Sequence, residues 1–235
     1  MHVIVVSDLH LGSEHFLHDA FLHFLEILPE ECSIVLNGDV IDSPRAELPA
    51  SHKKIIDWLR QESFRREVVW ILGNHDANYT MQDPGKIAFA RHFNIGQRLL
   101  VTHGDTFDKI MPNNLWFISL FKAWHQVRLW LGAPPIHVAC YAKKWRLLYR
   151  ILTRHVMKHA IRYAKENRFE AITCGHTHYP EDTQMDGVRY INTGSWTETP
   201  GFYLSVNQEA MALKPASGRS STELTGANER PGSPC

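Results

Sequence analysis

Asp, His and Asn recur in this chain at the ends of short apolar runs, and together they form a metal-ligand set. Asp8 and His10 lie in SDLHLG, Asp39 in NGDVID, Asn74, His75 and Asp76 in LGNHD, His103 in THGD, and His176 and His178 in CGHTH. Carboxylate, imidazole and amide oxygen suit divalent ions such as Mn, Fe, Zn or Co. Seven donors (Asp8, His10, Asp39, Asn74, His103, His176, His178) exceed one tetrahedral site. With one carboxylate bridging, they serve two ions about 3.5–4 Å apart, the spacing of two-metal phosphoryl chemistry. The other ten histidines, among them His155 and His159 one helical turn apart, read as surface or partly buried side chains.

The elements that must position these residues alternate. Strand-like runs fall at 2–7, 33–37, 67–72, 98–102, 170–174, 188–193 and about 201–206. Helical spacing marks 14–28 and 51–63, and 84–93 reads as a short helix. This rhythm predicts an α/β fold with a largely parallel sheet, whose ligand crevice lies outside the carboxyl ends of the strands. Each block above follows such a run, so five loops deliver the candidate ligands to one edge.

The composition narrows the class. The chain has 235 residues, 44% hydrophobic and 21% charged, which suits one domain with an insertion. No apolar run reaches the roughly 18 residues of a membrane span. Four scattered cysteines without a CxxC, and a start that enters a strand without a signal-like region, predict a reduced, cytoplasmic protein. Net charge is zero, yet Lys109 to Lys165 holds 11 Lys/Arg and no acid, leaving 14 basic against 25 acidic residues elsewhere. The block 109–168 reads as a basic insert of two helices, about 114–131 and 136–165, split by Gly132-Ala133-Pro134-Pro135. In the second, Arg146, Arg150, Arg154, Lys158 and Arg162 recur every fourth residue. The insert fits a solvated helical cap, a lid that attracts anionic substrate, or a surface that meets anionic lipid at the inner face of a membrane. No nucleic-acid reading motif appears. The Ser/Gly/Pro/Thr-rich stretch 214–235 reads as a disordered tail after a domain spanning 1–213.

The five blocks, in this order, resemble the signature of the calcineurin-like metallophosphoesterases. The resemblance implies a four-layer α/β/β/α sandwich with a helical insertion and a dinuclear centre that hydrolyses phosphate ester or pyrophosphate bonds. Asp8, His10 and His178 would hold one ion, Asn74, His103 and His176 the other, and Asp39 would bridge. The ions would be Mn2+ foremost, with Fe, Zn, Co or Ni as alternatives. His75 would protonate the leaving oxygen, with Asp76 orienting its ring. Asp42, Asp105, Thr106 and Asp108 would form turns or support the ligands. Asn192 and Ser195, in INTGSW, would lie in a substrate loop, and Arg146, Arg150 and Arg154 would bind substrate.

Length, the HGDT run at 103–106 and the basic insert before GHTH further resemble the UDP-2,3-diacylglucosamine hydrolases of lipid A synthesis, whose insertion forms a lid over acyl chains. The third block carries His75 where the best-known members have Arg, which corresponds to a His-containing branch. A lipid-linked pyrophosphate is the implied substrate. A soluble phosphodiesterase or phosphatase acting on nucleotides is the alternative. A non-catalytic scaffold is a further reading, against which the complete ligand set argues.

Overall fold

The computed structural model describes residues 2–110, 130 and 146–216. Two sheets stack face to face. The first runs in the order β11(Met211–Pro215), β10(Phe202–Val206), β1(Val3–Val6), β2(Ser33–Asn37), β3(Val68–Ile71), β4(Ala88–Ala90). The second runs β5(Phe93–Ile95), β6(Leu99–Val101), β7(Ala171–Cys174), β9(Val188–Asn192), β8(Glu181–Met185). The strands β1 to β4 pair in parallel, as do β6, β7 and β9, whereas β10, β11, β5 and β8 join antiparallel.

Alternation along β1 explains the layering. Val3 and Val5 face the second sheet and pack with Val35, Val69, Leu99, Val101, Ala171 and Ile191. Ile4 and Val6 face outward and pack under α1(His18–Glu26) and α2(Ala50–Glu62) through Phe21, Phe24, Ile55 and Leu59. A third helix, α3(Arg146–Glu166), lays Met157, Ala160, Ile161 and Ala164 on the far face of the second sheet, against Leu100, Ile172 and Tyr190. The order is therefore helix, sheet, sheet, helix, with both faces of each sheet covered.

This placement changes the reading of the basic insert. The carboxyl-terminal half of α3 is the fourth layer of the sandwich. Its amino-terminal half carries the exposed Arg150, Arg154 and Ile151. Helix 114–131, except Trp130, the Gly-Pro break, and 136–145 lie outside the described residues, as does the tail beyond 216.

Three expectations are corrected. Residues 84–93 are not a helix. Pro84 and Gly85 turn the chain, Gly85 at φ +60°, and β4 then pairs with β3 while Phe89 stacks on Trp70 at 5.5 Å. Long-range pairing overrides the weak local helical pattern there. The helix expected from residue 14 begins at His18, because the Leu17 N–H donates to the Trp196 carbonyl (2.8 Å) and holds the preceding turn as a strap. Lys214 and Pro215, expected within the disordered stretch, complete β11, a short edge strand.

Candidate metal centre

The ligand-bearing loops extend the parallel pairing past the strand ends. The N–H groups of Asp8, His10 and Leu11 donate to the carbonyls of Gly38, Asp39 and Val40 (3.0, 3.0 and 2.8 Å). To place side chains inward from both loops, the backbone adopts left-handed conformations. Asp8, His10, Asp39, His176 and His178 all have φ between +49° and +61°. Such a residue costs about 1–2 kcal/mol when it is not glycine. Five of the seven candidate ligands carry this strain, the kind that persists at functional sites because the surroundings over-determine it. Close approach adds a second demand. A Cβ on Gly175 would collide with the Asp8 carboxylate, and one on Gly73 with that of Asp39.

All seven side chains converge, in two halves. In the first, His178 Nε2 lies 3.1 Å from Asp8 Oδ1 and 3.2 Å from His10 Nε2. In the second, His103 Nε2 lies 3.2 Å from Asp39 Oδ2 and 3.3 Å from Asn74 Oδ1, and His176 Nδ1 lies 3.0 Å from the same Asn74 oxygen. Asp8, His10 and His178, and likewise Asp8, Asp39 and His103, bring donor atoms within 4.8 Å of one another. Donors about 2.1 Å from one ion stand roughly 3.0–3.4 Å apart, so these separations fit divalent ions on both sides of Asp8 and Asp39.

On His10, His103 and His176 the outer nitrogen is held. His10 Nδ1 meets Asp42 Oδ1 (3.0 Å), His103 Nδ1 donates to the Asn37 carbonyl (3.0 Å), and His176 Nε2 meets Asp108 Oδ2 (3.1 Å). Each bond fixes a ring orientation and turns the opposite nitrogen inward, as at metal sites. Asp42 and Asp108 thus support the ligands.

Electrostatics separate the histidines. Burial alone would push the His103 imidazolium down, but the Asp39 carboxylate, with Asp8 and Asp105 behind it, pushes it up to about 10. His10 is likewise raised: burial opposes, and Asp42, Asp8 and Asp39 prevail. Burial lowers His178 despite Asp8 beside it, which favours the neutral form that ligates. Asp39 is held far below the carboxylate range, where His103 and then His75 and His10 outweigh burial.

His75 is half exposed beside the cluster, its ring edge-on to His10 at 4.8 Å. Its N–H donates to Asp39 Oδ1 (2.8 Å), and its Nδ1 donates to the Asp42 carbonyl (2.8 Å). Asp76 does not orient this ring. Its carboxylate is fully buried and accepts from Val40 N–H (2.9 Å), Trp70 Nε1–H (2.9 Å) and Gly73 N–H (2.7 Å). It clasps the second and third loops together, and Asp42 does the work that sequence reasoning gave to Asp76. Asn192 and Ser195 are also buried rather than facing a substrate. Asn192 Nδ2 donates to the Gly175 carbonyl (2.7 Å) and Thr177 Oγ1 (3.1 Å), and Ser195 Oγ donates to the Asp8 carbonyl (3.1 Å). They hold the loops that carry His176, His178 and Asp8.

Sequence reasoning missed Tyr149. Its hydroxyl donates to the carbonyl of Thr177, the residue between His176 and His178, so α3 touches the ligand loop directly. The side chain of Arg146 lies outside the described residues; Arg150 and Arg154 are exposed on the same helix.

A two-sheet sandwich whose strand ends gather seven oxygen and nitrogen donors is a metallophosphoesterase. The chain belongs to the calcineurin-like phosphoesterase family, whose model matches residues 1–180. It is therefore a metal-dependent phosphoester hydrolase. No curated protein matches it. Among solved structures it is similar to the Escherichia coli phosphoesterase YfcE, at 18% identity and TM-score 0.45, over 92% of this chain and 100% of that one. It is also similar to an archaeal phosphodiesterase, at 14% and 0.47, over 92% and 98%. Zinc-bound Vps29 of Entamoeba histolytica gives 15% and 0.49, over 92% and 98%.

Proposed function

We propose that this enzyme cleaves the pyrophosphate of a nucleotide-linked amphiphile at the inner face of a membrane, with UDP-2,3-diacylglucosamine as the first substrate to test and two Mn2+ ions as cofactors. The observation that carries this reading is α3. Its exposed basic face (Arg150, Arg154, Lys158, Arg162) lies on the helix that Tyr149 anchors to the ligand loop, and Ile151 and Tyr163 stand exposed beside it. Cationic and apolar groups on one helix beside a phosphoryl site suit a substrate, or a lipid surface, with anionic and hydrocarbon parts. No helix among the described residues is long and apolar enough to cross a membrane.

Divalent ions at the seven donors supply Lewis acidity toward phosphoryl oxygens and a nucleophile at neutral pH. The chain's own residues do the rest. Asp39 ties the two halves, and its Oδ1 also fixes the His75 backbone. With Nδ1–H committed to the Asp42 carbonyl, Nε2 is the atom through which His75 gives a proton to the leaving oxygen. Asp42 thereby fixes both His10 and His75.

Metal-reconstituted turnover of UDP-2,3-diacylglucosamine beside bis-p-nitrophenyl phosphate tests the reading. It requires the lipid pyrophosphate to be cleaved far faster. Cleavage of the generic diester alone would discard the lipid substrate and favour a soluble phosphodiesterase acting on nucleotides.

A further inference from the structure

On the His75 side of the centre, the loop after Asp42 and the loop after Asp76 enclose an open cavity of about 400 Å³. It is lined by Ser43, Pro44, Arg45, His75 and Asn78. Its size falls in the range of small-ligand sites. Its chemistry is narrow: one guanidinium, one hydroxyl, one amide and the His75 imidazole, with no carboxylate and no aromatic carbocycle in the lining. Among the described residues no carboxylate pairs with Arg45.

We infer that this cavity is the leaving-group subsite and that it takes a phosphate carried by the leaving group. Two observations join in this. His75, the proton donor, forms one wall, so whatever departs from phosphorus on that side departs into the cavity. Arg45 then offers a planar fork that matches a phosphate in two-point contact, with Ser43 and Asn78 as further donors. A neutral alcohol leaves that guanidinium without an anion. The subsite therefore selects pyrophosphates, and diesters of phosphorylated alcohols, over simple diesters. It deepens the pyrophosphate reading above, which rests on α3 and not on this cavity.

Calorimetry on the metal-loaded full chain tests the subsite without turnover. Methylenediphosphonate, pre-equilibrated with the same metal, presents two phosphoryl groups, and inorganic phosphate presents one. The wild type is expected to bind the diphosphonate about tenfold or more tighter than phosphate, the scale of a charged hydrogen bond. Arg45→Ala should abolish that preference, Arg45→Glu should reverse it, and Arg45→Lys should restore part of it. A preference that survives Arg45→Ala, or one that the wild type lacks, overturns the subsite. Failure to cleave UDP-2,3-diacylglucosamine would overturn the substrate reading while leaving this ratio as a separate result.

Discussion

The ligand cluster and the rim around it are built on opposite terms. Asp8, His10, Asp39, His103 and His178 are buried, in left-handed turns or held through their outer nitrogen by a carboxylate or carbonyl. The rim, comprising Arg45, Asn78, His75 and, on α3, Arg150, Arg154, Lys158 and Arg162, is exposed. The difference separates what must be fixed from what must select. Metal donors misplaced by an ångström lose the ion, so the fold over-determines them; groups that meet substrate need only sit where it arrives.

The largest effect should come from breaking the cluster at its shared member. Asp39→Ala removes the carboxylate between the two halves and, with it, the main charge that keeps the buried His103 protonated. Turnover should fall by more than the roughly 100-fold that loss of an outer partner costs, and elemental analysis should find both ions depleted. Full metal content in this variant would overturn the proposed bridging role of Asp39.

Next, His75 and Asp76 should part company although they are neighbours. His75→Ala is expected to lower kcat by about 10²–10⁴-fold at unchanged metal content and melting temperature, the range for a lost general acid. Asp76→Ala instead removes three buried hydrogen bonds and should destabilise the fold by about 3 kcal/mol or more, read in thermal melts. A stable Asp76→Ala protein with an altered pH–kcat profile would return Asp76 to the proton step.

Metal binding should also be proton-linked. In the metal-free protein His103 stays protonated up to about pH 10 and His10 is raised as well, so loading near pH 7 must expel at least the His103 proton. Calorimetry in buffers of different ionisation enthalpy should detect the release, and metal affinity should rise with pH by up to about tenfold per unit for each proton. The sign in the apoprotein is opposite. The raised His103 stabilises the fold fully below its unfolded value near 6.5, and this is lost as pH rises through about 10. Metal-free melting temperatures should therefore fall across that window. A flat metal affinity between pH 6.5 and 8.5 would contradict a charged His103.

The smallest expected effect crosses between the two regions. Tyr149→Phe deletes the hydroxyl that reaches from α3 to the Thr177 carbonyl. Metal affinity should drop several-fold to about tenfold with the apoprotein's melting point nearly unchanged. A drop in melting point without loss of affinity would make Tyr149 a packing residue only.

The ligands were legible in sequence because each lies in the loop after a buried apolar strand, and Asp39, Asn74, His103 and His176 sit beside glycine. The α/β rhythm followed from the same strands. Their partners were less legible. Asp76 is adjacent to His75 but points to Trp70, whereas Asp42, 33 residues away, reaches it; only the crossing of two loops decides that. The strands β8 and β11 escaped because they lie at sheet edges, where EDTQM and MALKP need no continuous apolar run. The end of α3 read as part of an insert because its basic stripe dominates the sequence, while small buried residues, Ala160 and Ala164, do the packing.

Strand β1 sits between β2 and β10, and the Asp8 carbonyl accepts bonds from Ser195 and Trp196. During synthesis the first ligand thus emerges long before its last neighbours. A chain interrupted ahead of Ser195 has Asp8 and His10 but no clamp on the loop that carries them. A complete ligand set is therefore expected only once Ser195 and Trp196 have been made and docked on the Asp8 carbonyl.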